Sequence, residues 1–236
     1  ACDAKKVTHG TSAGAEDYFA GPVVQVRTIR LLKQSLESIA KNGYVELPGN
    51  AVSTRSDGTV VAKVFPTDTI DKLLLAGFEA EIWMEDGVTA DTLKDHQGAV
   101  YRQGHGDGGI ALVLGAGNVA SIGPLDVVHK LFVENQVCML KFNPVNEYTG
   151  TFFEEAFAPL IKDGFVRTVY GGADVGAYLC QHDAVDEIHV TGSDKTHDAI
   201  VYGVGEEGVS RKAADNPVND RPVTSELGNV SGVIVV

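Results

Sequence analysis

Ile110-Ala-Leu-Val-Leu114, followed by Gly115-Ala-Gly117-Asn118-Val-Ala120 and then by Ser121-Ile-Gly-Pro-Leu125-Asp-Val-Val-His-Lys-Leu-Phe132, sets a strand, a glycine loop and a helix in succession. The first five residues are apolar without alternation, as in a parallel strand covered on both faces. The loop spells G-x-G-x-x-A at the place where a strand hands over to a helix, the position at which backbone approaches a phosphate or a ring closely. A plain tight turn needs the same glycines, so this string alone leaves both readings open.

The same alternation continues to the end of the chain. A helix over Leu125–Val133 leads to strand Val137–Lys141, helix Glu147–Lys162, strand Val166–Tyr170 and helix Val175–Cys180. Strand Glu187–Thr191, helix Asp194–Val201, strand Pro222–Glu226 and strand Val233–Val236 follow. Continuously apolar strands separated by helices predict a doubly wound α/β fold with a mostly parallel, Rossmann-like sheet and right-handed crossovers.

Before this half the pattern is less regular. One amphipathic helix is expected over Val26–Asn42, with Leu31, Leu32, Leu36 and Ile39 on one face. Short strands, among them Thr59–Phe65 and Ala80–Met84, lie between turn-rich stretches such as Pro48-Gly49-Asn50 and Ser56-Asp57-Gly58. The composition changes at Gln103-Gly-His-Gly-Asp-Gly-Gly109. Residues 1–108 are therefore expected to form an N-terminal region packed on a nucleotide-binding domain of residues 109–236.

A 236-residue chain that is 44% hydrophobic and 22% charged is an ordinary globular composition. The net charge of −13, with no run of Lys and Arg to offset it, opposes a phosphate backbone or an anionic bilayer, so neither nucleic acid nor membrane is expected as a partner. No stretch approaches the ~20 apolar residues of a membrane span. The first residues lack the apolar core of a signal peptide, which points to the cytoplasm. Three cysteines, Cys2, Cys138 and Cys180, give neither a disulfide framework nor a zinc spacing. His105 with Asp107, and Cys180 with His182 and Asp183, also lack metal-ligand spacing, and no metal is expected. The chain begins without Met and stops on the apolar run Gly232-Val-Ile-Val-Val236, which reads as a fragment of something longer.

In an open parallel sheet the ligand lies outside the carboxyl ends of the strands, so the residues just after each strand are the candidates. Asn118 is a polar amide suited to donating to an oxygen that gains charge, or to holding a turn. Lys141 stands at the end of the second strand, where the usual NAD fingerprint turns acidic. It can bond ribose hydroxyls or a phosphate, or extend to solvent. Gly171-Gly172-Ala-Asp-Val-Gly176 and Thr191-Gly192-Ser193 each open a helix, whose free amides favour an anion. Glu226, in Ser225-Glu226-Leu227-Gly228-Asn229, brings a carboxylate to the same edge, where partial burial would raise its pKa toward that of a general base.

Taken in order, Leu112-Val-Leu-Gly-Ala-Gly-Asn118, Leu140-Lys141, Gly171-Gly172 with Gly176, Val190-Thr191-Gly192-Ser193 and Glu226-Leu227-Gly228 resemble the aldehyde dehydrogenase superfamily from about Gly109 onward. The resemblance implies the cofactor-binding part of an NAD- or NADP-dependent enzyme. In such an enzyme a thiol attacks an aldehyde, hydride leaves to nicotinamide, and water hydrolyses the thioester. It implies that Asn118 helps hold the oxyanion and that Glu226 is the base for the water. Lys141 would bind the adenosine ribose and Ser193 the pyrophosphate, with Gly172, Gly176, Thr191, Gly192 and Leu227 completing the cofactor site. The nucleophilic cysteine is then expected beyond Val236, in a catalytic domain this chain lacks, with a small-molecule aldehyde of open identity as substrate and a homo-oligomer as the full-length state.

Three departures from the family pattern stand out. Lys141 is followed by Phe142-Asn143-Pro144 rather than Pro-Ser-Glu, which leaves NAD and NADP both open. Gly228-Asn229 replaces Gly-Gly, and Gly-Ala-Gly-Asn118 replaces Pro-Trp-Asn. A CoA-acylating or acyl-reducing relative, or a nucleotide-binding module without catalysis, are the alternatives these departures leave.

Overall fold

The computed structural model describes Lys6, residues 8–102 and residues 106–228. The chain forms two compact units, one of residues 30–105 and the other of residues 1–29 with 106–236. The second grouping joins the first 29 residues to the sheet-bearing half.

In the smaller unit, strands β1 (Val52–Thr54), β2 (Val60–Phe65) and β3 (Ala80–Trp83) make an antiparallel sheet with β2 in the middle. Val60, Val61 and Ala62 are buried in β2, and Leu93 packs with Val60 and Ala62 to form its core. The amphipathic helix expected over Val26–Asn42 is α2 (Val24–Asn42), which follows α1 (Ser12–Tyr18). On α2 Leu31, Leu32, Leu36 and Ile39 are half-buried, while Lys33, Gln34 and Glu37 between them are exposed, as a 3.6-residue period requires. Two further short helices, α3 (Thr69–Leu74) and α4 (Ala99–Arg102), belong to the same unit.

The larger unit holds five parallel strands, β4 (Gly109–Leu114), β5 (Gln136–Lys141), β6 (Val166–Val169), β7 (Glu187–Gly192) and β8 (Val223–Leu227). Their spatial order is β6-β5-β4-β7-β8, the order in which a doubly wound nucleotide-binding sheet reverses direction beside its first strand. The central strands are apolar on both sides because helices cover both faces. Ala111, Leu112, Val113, Leu140 and Ile188 are all fully buried.

Helix α5 (Ile122–Phe132) covers one face, with Val127 against Cys138 of β5. Helix α6 (Gly150–Ala156) lies on the same side, where Glu154 accepts from Thr168 of β6. The opposite face packs Leu112 and Ile188 against Leu179 and Cys180 of α8 (Ala173–Gln181) and against Ile200 of α9 (Asp194–Val201). Ser121 at the head of α5 donates its hydroxyl to the Ala20 carbonyl, a bond that ties the first residues to this unit.

One expected helix needs correction. The single helix over 147–162 is a 3-10 turn (Pro144–Thr149), α6 and α7 (Ala158–Lys162), broken at Phe157. Pro159 lies just beyond the break and cannot donate the next hydrogen bond to the turn before it. A further helix, α10 (Gly205–Ala213), escaped the sequence pattern because its apolar content is low and a glycine precedes and opens it. The strand expected over Val233–Val236 lies outside the described residues.

Candidate functional site

Where the strand order reverses, the carboxyl ends of β4 and β7 open into a cleft of about 1100 Å³ that extends between α8 and α9. Six of the residues singled out at the strand ends line it together: Lys141, Gly172, Gly176, Thr191, Gly192 and Ser193.

Lys141 is only 6% exposed, so it is not a solvated strand end. Burial lowers its pKa, with the charges of Glu147 and Asp174 working in the other direction. Its ammonium has no hydrogen bond or ion pair among the described residues. Glu147, one of the carboxylates acting on Lys141, accepts the Gly171 N–H at 2.8 Å. A buried ammonium that faces an open cleft with no hydrogen bond of its own can donate to an anionic or polyhydroxyl ligand.

Gly172 is the N-cap of α8 and carries no side chain to occupy the free amides of the first turn, so those amides remain for an anion. Gly176, one turn further, has no atom within 4 Å of where a Cβ would stand, so any side chain there would enter the cleft. Ser193 caps α9, its hydroxyl accepting the Thr196 N–H at 3.2 Å. Arg221 and Lys195 also line the cleft, adding positive charge to a molecule of net charge −13. A buried ammonium, an uncapped helix and a glycine wall fit a dinucleotide, as far as this chain's own residues go.

The remaining candidates lie elsewhere. Asn118 is exposed and lines a separate hollow of about 170 Å³ with Glu16, Asp17, Ala20 and Gly21. Its neighbour Gly117 is a glycine for packing, because a Cβ there would stand 2.9 Å from the Asn143 side chain. Of the G-x-G-x-x-A string only Gly115 reaches the cleft, so the string makes a packed turn and the anion-facing helix is α8 rather than α5. Glu226 sits on the outer strand β8 and is exposed, which overturns the expectation of partial burial. Leu227 pairs in register with Gly192 but does not line the cleft.

Neither described cysteine is poised to react. Burial pushes the Cys138 thiol up to about 12 and the Cys180 thiol up to about 11, so both are protonated and inert at neutral pH.

The motif reading missed a polar group beneath α5, made of Asp126 and Lys130 on the helix and Glu187 and His189 on β7. Two features mark it in the sequence. Glu187, His189 and Thr191 alternate inside an otherwise apolar strand, and Asp126 and Lys130 are spaced four apart on a helix that covers a sheet.

Fold and cleft together define an α/β unit of the doubly wound, Rossmann-like type, open where its strand order reverses. No protein-family model and no curated protein matches the chain. Among solved structures it is similar to an aldehyde dehydrogenase from Bartonella henselae, 21% identical over 51% of this chain and 23% of that one, with a TM-score of 0.37. It is also similar to the NADP-dependent glyceraldehyde-3-phosphate dehydrogenase of Bacillus halodurans, 21% identical over 51% of this chain and 23% of that one, TM-score 0.38. Staphylococcus aureus AldH is 13% identical over 91% of this chain and 34% of its own, TM-score 0.47. The chain thus spans a quarter to a third of the length of these structures. Among the described residues no helix is long and apolar enough to cross a membrane.

Proposed function

We propose that this chain supplies the NAD- or NADP-binding part of an enzyme that oxidises an aldehyde to a carboxylic acid through a cysteine thioester. The observation that carries this reading is the unpaired, buried Lys141 facing the same cleft as Gly172, Gly176 and Gly192. The bound nicotinamide would supply the hydride acceptor. Lys141 would hold the adenosine ribose or a phosphate on it, the free amides at the start of α8 would hold the pyrophosphate, and Ser193 would bond to it from α9.

Glu226, open at the edge of the sheet, would take the proton of the attacking water, and Asn118 would donate to the oxyanion. With the Cys138 and Cys180 thiols raised by burial, the nucleophile would come from another part of the protein.

Isothermal calorimetry of the chain with NAD and with NADP is the direct test. Saturable binding of either supports the reading, and no heat with both in a folded sample overturns it. The exposure of Asn118, away from the cleft, favours one second reading, a nucleotide-binding module without turnover. Binding without aldehyde oxidation by the full-length protein would select it.

A further inference from the structure

One end of the cleft carries positive charge and lacks the group that an unmodified ribose calls for. Strand β5 stops at Lys141, whose register partner on β6 is Val169, three residues before the Gly172 cap of α8. The buried ammonium and the free amides of the first turn of α8 therefore share that end. Lys195, the second residue of α9, adds an exposed ammonium to the lining.

In a doubly wound sheet a free adenosine ribose is held by a carboxylate that accepts from its 2′-hydroxyl, whereas a cation in that place accommodates a 2′-phosphate. The residues after Lys141 offer no such carboxylate. Phe142 is buried, its ring stacked on that of Tyr170 with centroids 5.3 Å apart. Asn143 lines the cleft, but its Oδ1 already accepts the Val145 N–H at 3.1 Å. Pro144 has no polar side chain.

Among the described residues that line the cleft, Asp220 alone is acidic. It stands between Asn219 and Arg221, which donate to the Cys180 carbonyl at 3.4 Å and 2.6 Å, near the last turn of α8. A helix of nine residues is about 13 Å long, so Asp220 belongs to the opposite end of the cleft from Gly172. Glu147 and Asp174 act on Lys141 through their charge, but neither lines the cleft, and Glu147 Oε1 is taken by the Gly171 N–H.

We propose that this cleft prefers NADP to NAD, with Lys141 donating to the 2′-phosphate of the adenosine ribose. The preference rests on the reading of the cleft as a dinucleotide site and commits it to one of the two cofactors. Near pH 7 a phosphate monoester carries about −1.5 to −2 charges and three strong acceptor oxygens. A buried ammonium with no hydrogen bond of its own gains more from such a group than from a neutral hydroxyl. A free ribose meets the reverse situation. Its hydroxyls could accept from Lys141, but their own protons would find no carboxylate at that end, and a donor left unpaired on binding costs affinity.

Calorimetry of the 236-residue chain with 5′-AMP, adenosine 2′,5′-bisphosphate and adenosine 3′,5′-bisphosphate isolates the phosphate, and NAD against NADP carries the comparison to the cofactors. The 2′,5′-bisphosphate should bind about tenfold or more tighter than 5′-AMP, and NADP tighter than NAD by a similar factor. Lys141→Met, which keeps an apolar stem and drops the charge, should bring both ratios close to one. Equal or tighter binding of NAD overturns the preference and leaves the dinucleotide site standing. A 3′,5′-bisphosphate that binds tighter than the 2′,5′-isomer overturns the choice of NADP. Ratios unchanged in folded Lys141→Met take the phosphate away from the lysine and overturn the proposal as well. Should that variant fail to fold, the comparisons on the unsubstituted chain decide alone. No heat with any of these nucleotides in a folded sample overturns the dinucleotide reading and the preference together.

Discussion

Lys141 concentrates the chemistry of the cleft in one side chain. Taking an ammonium out of water costs several kcal/mol unless a partner compensates, and Glu147 is already committed to Gly171. A ligand oxygen would complete the set. Lys141→Ala should weaken dinucleotide binding by about 1.5–3 kcal/mol, the worth of a charge-assisted hydrogen bond. Equal affinity by calorimetry would leave the lysine without a ligand role. The sequence placed Lys141 correctly at a strand end, but only the tertiary structure shows that it is buried there and lines the cleft. Asn118 went the other way: its motif position suggested a site, and the turn left it exposed beside Glu16 and Asp17.

Among the elements, α8 is the one the site depends on. Gly172 leaves its first turn uncapped and Gly176 leaves its cleft-facing side bare, so helix and cavity meet without side chains between them. Gly176→Leu should block dinucleotide binding by tenfold or more, about 1.4 kcal/mol, while thermal unfolding moves to the same or a higher temperature. Leucine is worth up to about 1 kcal/mol more than glycine inside a helix, and the added side chain meets open space. Binding that survives the substitution would place the ligand elsewhere. The sequence marked α8 by its glycines and α5 by a literal G-x-G-x-x-A that left two readings open, and the structure makes the second a packed turn. Two glycines before a helix look alike whether they face a phosphate or the Asn143 side chain, because identity at i and i+2 says nothing of which neighbour approaches.

For the molecule as a whole, two buried carboxylates set opposite pH dependences. Asp126 is raised from 3.8 to about 7, so the folded state holds its proton more tightly. Its contribution is full below about pH 4 and is lost as pH rises through 7. Glu187 is lowered from 4.5: burial opposes its charge, but the bonds from Lys130 and Gln136 prevail. Its contribution is full above its ordinary value and is lost as pH falls below it. Chemical denaturation should therefore find a maximum between the two. Asp126→Asn should remove the loss toward pH 8, a gain on the order of 1–3 kcal/mol after screening at the sheet edge, and a variant less stable than the parent at pH 8 would contradict the buried, protonated carboxyl. The sequence by itself determined the order of strands and helices, because a parallel sheet covered on both faces must be written as apolar runs between amphipathic helices. It also determined which residues stand at the strand ends, since the pleat and the length of each run fix where a strand stops. What only the tertiary structure decided was the company those residues keep. The order β6-β5-β4-β7-β8 brings Lys141, Gly176 and Ser193 to one cleft, puts Glu226 on an exposed edge, and lays Asp126 over His189 across 63 positions of chain. Such pairings depend on crossovers and register, which local periodicity does not encode.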